Sequence, residues 1–166
     1  MQYLRNVNCD TCAILNDSQG EIIIFTTEHW TVRLARDQLY LGRAYLVALN
    51  HIREIEDLTK EQLIDWHDSI KRYSAMAKKA FGATHITEAT LMNNAYQSAT
   101  PNPHVHTHIR PRYKTPYYFP GWDMTFADPN FGHHHLGSEN AIEFNRELLV
   151  AIGYQLRASE RPITPQ

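Results

Sequence analysis

Apolar and polar positions first fall into a readable pattern over residues 21–34, EIIIFTTEHWTVRL, where two β-rich apolar runs flank a polar TTEH. That arrangement predicts a hairpin. The stretch from Ala44 to Leu49 predicts a further strand running into His51. The period then changes. In LTKEQLIDWHDSIKRYSAMAKKAF, Leu63, Trp66, Ile70, Tyr73 and Ala77 recur at helical spacing and mark a buried face. Thr59 with Gln62 three positions later forms a capping-box pattern at its start, and Gly82 ends it. HITEATLMNN and HVHTHIRPRY predict two more strands on either side of the polar AYQSATPNP. Residues 113–137, rich in proline, glycine and aromatics, show no sustained period and read as a long ordered loop or lid. Residues 138–158 predict a C-terminal amphipathic helix, with Ser138 as N-cap and Ala141, Leu148, Ile152 and Leu156 inward. The chain therefore reads as one α+β domain, residues 1–166, built on a mostly antiparallel sheet.

Composition narrows the classes. With 43% hydrophobic and 20% charged residues and a net charge of −2, the chain is globular and not basic enough for a nucleic-acid-binding surface. A local cluster such as Arg110, Arg112 and Lys114 could still hold phosphates. No apolar stretch is long enough to span a bilayer, and MQYLRNVNCDTC lacks a signal-peptide core, so a cytoplasmic protein without membrane contact is expected. The two cysteines, Cys9 and Cys12, form a CxxC, which in a reducing compartment suggests a metal half-site or redox pair.

The chemistry concentrates in HVHTH. On a strand, side chains at a spacing of two share a face, so His104, His106 and His108 point the same way. They could be exposed surface imidazoles, a metal site, or a nucleophile or base whose neighbours hold phosphate and fix its tautomer.

HVHTHIRPR resembles the signature of the histidine triad (HIT) family, and other parts of the chain agree in order. CDTCAIL is similar to the N-terminal CxxC of bacterial members, GRAYLVALNHIREIEDLT to their histidine-ended strand, and LMNNAY to their Asn-bearing strand end. The resemblance runs from Cys9 to about Arg112. It implies a HIT-like fold, an antiparallel sheet of about five strands with two helices, and a homodimer. It also implies nucleotide hydrolase or transferase chemistry at an α-phosphate through a nucleotidyl-histidine intermediate. By position His106 is the nucleophile, His108 contacts phosphate and assists the leaving group, and Asn93 hydrogen-bonds near the phosphate. The resemblance further implies a structural zinc on Cys9, Cys12, His51 and His104.

There are departures. Thr107 stands where an apolar residue is usual, and Thr100 with Pro101 where relatives often carry Ser or Gln. Thr100 and Arg110 are candidate substrate contacts, and Asp37 is the candidate for the ribose hydroxyls. A dinucleoside polyphosphate is the favoured substrate and a nucleoside phosphoramidate is close behind. A nucleotidyl transferase or phosphorylase, a non-catalytic nucleotide-binding module, and a hydrolase with a catalytic metal on the triad are the alternatives. GHHHLG at 132–137 reads as a surface turn or a substrate-facing lid element. Tyr117, Tyr118, Phe119, Trp122 and Phe126 either stack on a second base or pack the loop; His29, His67 and His85 are assigned no role.

Overall fold

The structure, a computed structural model, describes residues 3–16, 22–136 and 140–160, without the side chain of Asn93. A short helix α1 (Asp10–Asn16) precedes three strands, β1 (Ile23–Thr26), β2 (Trp30–Leu34) and β3 (Ala44–Ala48). Helix α2 (Lys60–Phe81) leads to β4 (His85–Ala89) and β5 (His106–Arg112). A two-stranded ribbon, β6 (Tyr117–Phe119) and β7 (Met124–Phe126), precedes α3 (Arg146–Ala158). The main sheet has the order β1-β2-β3-β5-β4, with every pairing antiparallel. Among the described residues no helix is long and apolar enough to cross a membrane.

Local chemistry explains α2. The Thr59 hydroxyl accepts from the Gln62 amide, and the Gln62 side chain accepts from the Thr59 amide, so two otherwise orphaned donors are satisfied. Gly82 takes the left-handed conformation that closes the last turn. The inward stripe largely follows the one the sequence suggests: Tyr73 and Ala77 are buried and Trp66 and Ile70 pack against the core, joined by Ser69, Met76 and Phe81, whereas Leu63 is exposed. Near the helix start, the buried Trp30 indole donates to the Gln62 carbonyl at 2.9 Å.

The structure corrects two other expectations. The segment expected as a long ordered loop contains a short ribbon, because Pro120 and Gly121 turn the chain between β6 and β7, with Gly121 at φ +83°. Phe119 and Phe126 from this ribbon lie in the same core as Leu46, Tyr73 and Ile109. Helix α3 starts at Arg146, capped by the Asn145 side chain on the Leu148 amide, rather than at 138. Ala141 is therefore outside it and exposed, while Leu148, Ile152 and Leu156 are buried as the pattern predicts. Ser138, expected as the N-cap, lies outside the described residues.

Candidate functional site

Strand β5 divides its side chains cleanly. Thr107 and Ile109 face α2 and are buried. The hydroxyl of Thr107 accepts from the Trp66 indole at 2.9 Å and lies 2.9 Å from the Thr90 hydroxyl. A polar residue is thus satisfied at this inward position. His106, His108, Arg110 and Arg112 occupy the opposite face. His104 precedes the strand, and it is buried while His106 and His108 are half-buried. The three imidazoles therefore serve two centres rather than one.

The first centre joins the N-terminus to the sheet. The ligand atoms of Cys9, Cys12, His51 and His104 all lie within 4.8 Å of one another. His104 Nδ1 is 3.5 Å from each sulfur, and His51 Nδ1 is 3.5 Å from Cys12 Sγ. A tetrahedral zinc with bonds of about 2.3 Å to sulfur and about 2.0 Å to nitrogen spaces such atoms by roughly 3.5 Å. Nε2 of His104 donates to the Ala48 carbonyl at 2.8 Å, which leaves Nδ1 as a lone pair aimed at the cysteines. Backbone amides of Cys12 and Asn6 donate to Cys9 Sγ and Cys12 Sγ, both at 3.4 Å, as they would to thiolates. Burial pushes the Cys12 thiol upward and the Asn6 amide pulls it back; a bound cation would deprotonate it outright. The donor set fits a closed metal site with four protein ligands, which would pin the N-terminal segment to the sheet.

The second centre is made by His106 and His108, with ring centroids 5.2 Å apart. Nδ1 of His106 lies 2.8 Å from the His104 carbonyl oxygen, an atom that only accepts. Nδ1 therefore carries the proton and Nε2 holds the free lone pair. His108 is the reverse. Its Nδ1 is 3.3 Å from Arg110 Nη2, and a guanidinium only donates, so the proton sits on Nε2. Burial, followed by the Arg110 cation, pushes the His108 pKa down to about 3 and keeps the ring neutral. Tyr45 of β3, paired with His108 across the sheet, sets its ring edge-on at 5.0 Å and fixes the wall behind both imidazoles.

The remaining candidates are distributed unevenly. Arg110 is buried beside His108. Thr100 lies on an exposed turn, and its backbone amide donates to the Ser98 hydroxyl at 3.2 Å. Asn93 begins a short 3₁₀ turn just beyond β4. The Asp37 carboxylate is already engaged by Arg43 and by the amides of Leu39 and Ile142, at 2.9 and 3.0 Å. Arg43 and Tyr45, together with Gln38, went unassigned in the sequence. Gln38, fully buried, braces the loop by donating to the carbonyls of Ala35 and Arg43 and accepting from the Gly42 amide. Strand alternation carried the signal for Tyr45, which falls on the histidine face.

No protein-family model matches the sequence, and no curated protein matches it. Solved structures do match. A hypothetical histidine triad nucleotide-binding protein from Sulfolobus tokodaii superposes with a TM-score of 0.66 at 18% identity, over 91% of each chain. A Hit-like protein involved in cell-cycle regulation from Bartonella henselae gives 0.65 at 17%, over 94% of this chain and 98% of its own. This is the histidine triad fold. A zinc-bound histidine triad family protein from Mycobacterium smegmatis shares it, with a TM-score of 0.58 at 19% identity over 92% of each chain. Because so little of the chain is left uncovered, the likeness continues past Arg112, where the sequence resemblance ended.

Proposed function

We propose that the protein is a nucleotide hydrolase that cleaves at the α-phosphate of a nucleoside phosphate joined through P–O–P or P–N. The opposite tautomers of two adjacent imidazoles carry this reading: His106 presents a lone pair at Nε2 and His108 presents a proton at Nε2. A nucleophile and a proton donor are what an in-line nucleotidyl transfer needs. Nε2 of His106 attacks the α-phosphorus and forms a P–N bond. The bond from phosphorus to the leaving group breaks as His108 Nε2–H hydrogen-bonds the departing atom, which takes up its proton from solvent. Water then attacks the same phosphorus and gives its proton to solvent. The P–N bond breaks to release nucleoside monophosphate and free His106. Arg110 holds His108 in the donor tautomer, and Asn93 and Thr100 lie in loops that can reach the phosphate from the β4–β5 connection.

The same reading includes a structural zinc at Cys9, Cys12, His51 and His104. Its carbonyl-bonded imidazole is the residue that orients the nucleophile. It also includes a cytoplasmic homodimer. The test is release of nucleoside monophosphate from a diadenosine polyphosphate and from adenosine phosphoramidate, by wild type and by His106→Ala. Turnover in the wild type, loss of about 10⁴-fold or more in the variant, and an acid-labile nucleotidyl adduct on His106 support it. Equal activity in the two proteins would reject it.

A further inference from the structure

Three arginines crowd the far end of the histidine face, and they are not equivalent. Arg43 is paired with Asp37, and Arg112 is paired with Asp128 through two contacts of 2.6 and 3.1 Å. Arg110 has no carboxylate partner among the described residues. It is only 5% exposed, its Nη2 meets the neutral His108 ring, and its Nη1 is buried with no hydrogen-bond partner. A buried guanidinium in this condition carries an uncompensated desolvation cost unless an anion completes it.

Beside it is a cavity of about 430 Å³, lined by His85, Thr87, Arg112, His133, His134 and His135. That size is within the range of small-molecule sites. Thr87 is the residue opposite Arg110 in the β4–β5 pairing, and His85 is opposite Arg112. The cavity therefore begins about 7 Å along β5 from His108, two residues at strand rise. Its lining is of donors, and no carboxylate is among the residues that line it. Among the described residues these imidazoles do not converge as ligands in the way that Cys9, Cys12, His51 and His104 do, which argues for an anion and against a metal. The histidine wall is built in rather than draped. Arg112 donates to the His133 and Asn130 carbonyls at 3.0 Å each, and Gly132 turns the chain at φ +86°.

We propose that this cavity, with Arg110 adjoining it across the sheet from Thr87, binds an oligophosphate carried by the leaving group, so that the preferred substrates have a phosphorylated leaving group. The inference rests on the hydrolase reading above and adds the class of leaving group. His106 acts on the α-phosphate while His133, His134 and His135 hold the phosphates beyond the scissile bond. The segment after β5 thereby sets specificity.

The test compares wild type with H133Q/H134Q/H135Q and with the single His134→Gln, all on diadenosine tetraphosphate and adenosine phosphoramidate. Calorimetric titration with inorganic tripolyphosphate is run alongside. The triple variant should lose about tenfold or more in kcat/KM on the tetraphosphate and nothing on the phosphoramidate. It should also bind tripolyphosphate more weakly. His133 and His134 are exposed, and thermal melts establish that each variant is folded. Equal losses on both substrates, or no loss, would overturn the inference. If wild type turns over neither substrate, the hydrolase reading falls. Tripolyphosphate binding that the histidine substitutions weaken would still uphold the anion site, and absence of binding to wild type would overturn it.

Discussion

Replacing Asp128 with Asn tests the ion pair that fastens the post-β5 segment to the sheet. The side chains of Arg112 and Asp128 are 3% and 0% exposed, and the contact is bidentate. Removing one partner of a buried pair costs about 3–5 kcal/mol, because the other charge is left uncompensated. Two features place Asp128→Asn near the lower end. The amide oxygen remains an acceptor, and Arg112 keeps its bonds to the His133 and Asn130 carbonyls. The variant also weakens the carboxylate's bonds to the Tyr113 and Asn130 amides, at 3.3 and 3.2 Å. The expected loss is about 3 kcal/mol, which for a chain of this size lowers Tm by roughly 6–12 °C. Urea unfolding followed by tryptophan fluorescence should show a lower midpoint with the slope unchanged. The double variant R112M/D128L should recover much of the loss, since an apolar pair leaves no stranded charge. A single variant within about 0.5 kcal/mol of wild type, or a double variant less stable than the single, would refute the argument.

Chelator should lower Tm and erode turnover slowly and together, since the cysteine–histidine centre is a fold element; instantaneous loss of turnover from a protein that stays folded would instead indicate a catalytic metal. His108 titrates at about 3 when folded and near 6.5 when unfolded. Its contribution to stability is therefore complete above pH 6.5 and declines as pH falls from there toward 3. The urea midpoint of His108→Gln should vary less with pH over that window, and parallel profiles would contradict this. Gly42 sits at φ +77°, its carbonyl accepts from the buried Tyr73 hydroxyl, and an added Cβ would come 3.3 Å from that oxygen. Gly42→Ala should cost about 1–2 kcal/mol in urea unfolding, whereas an unchanged midpoint would show that the loop adapts.

Much of this arrangement is written in local pattern. The hairpin of β1 and β2, the capping box at Thr59 and the αL stop at Gly82 each depend on residues within a few positions, so the sequence displays them directly. The alternation of His106 and His108 is legible for the same reason. Alternation alone does not assign His104, whose place with the cysteines comes from the family resemblance, because its ring is turned into that centre by partners 92 and 95 residues away. Leu63 shows the limit of periodicity: a helical stripe gives the spacing of the inward residues, while the packing of α2 on the sheet decides where along the helix coverage begins. The ribbon β6–β7 was obscured because three-residue strands are too short to show a period. The carboxylate that matches Arg112 lies 16 residues on, inside a segment with no pattern of its own.

The cysteine–histidine centre also has a history within each molecule's synthesis. Cys9 leaves the ribosome 95 residues before His104, the ligand that bridges both sulfurs. At translation rates of about 5–20 residues per second, the two thiols wait roughly 5–20 seconds for that imidazole. During this interval the two thiols lack their histidine partner, so a cation held by all four residues could be captured only after His104 has emerged.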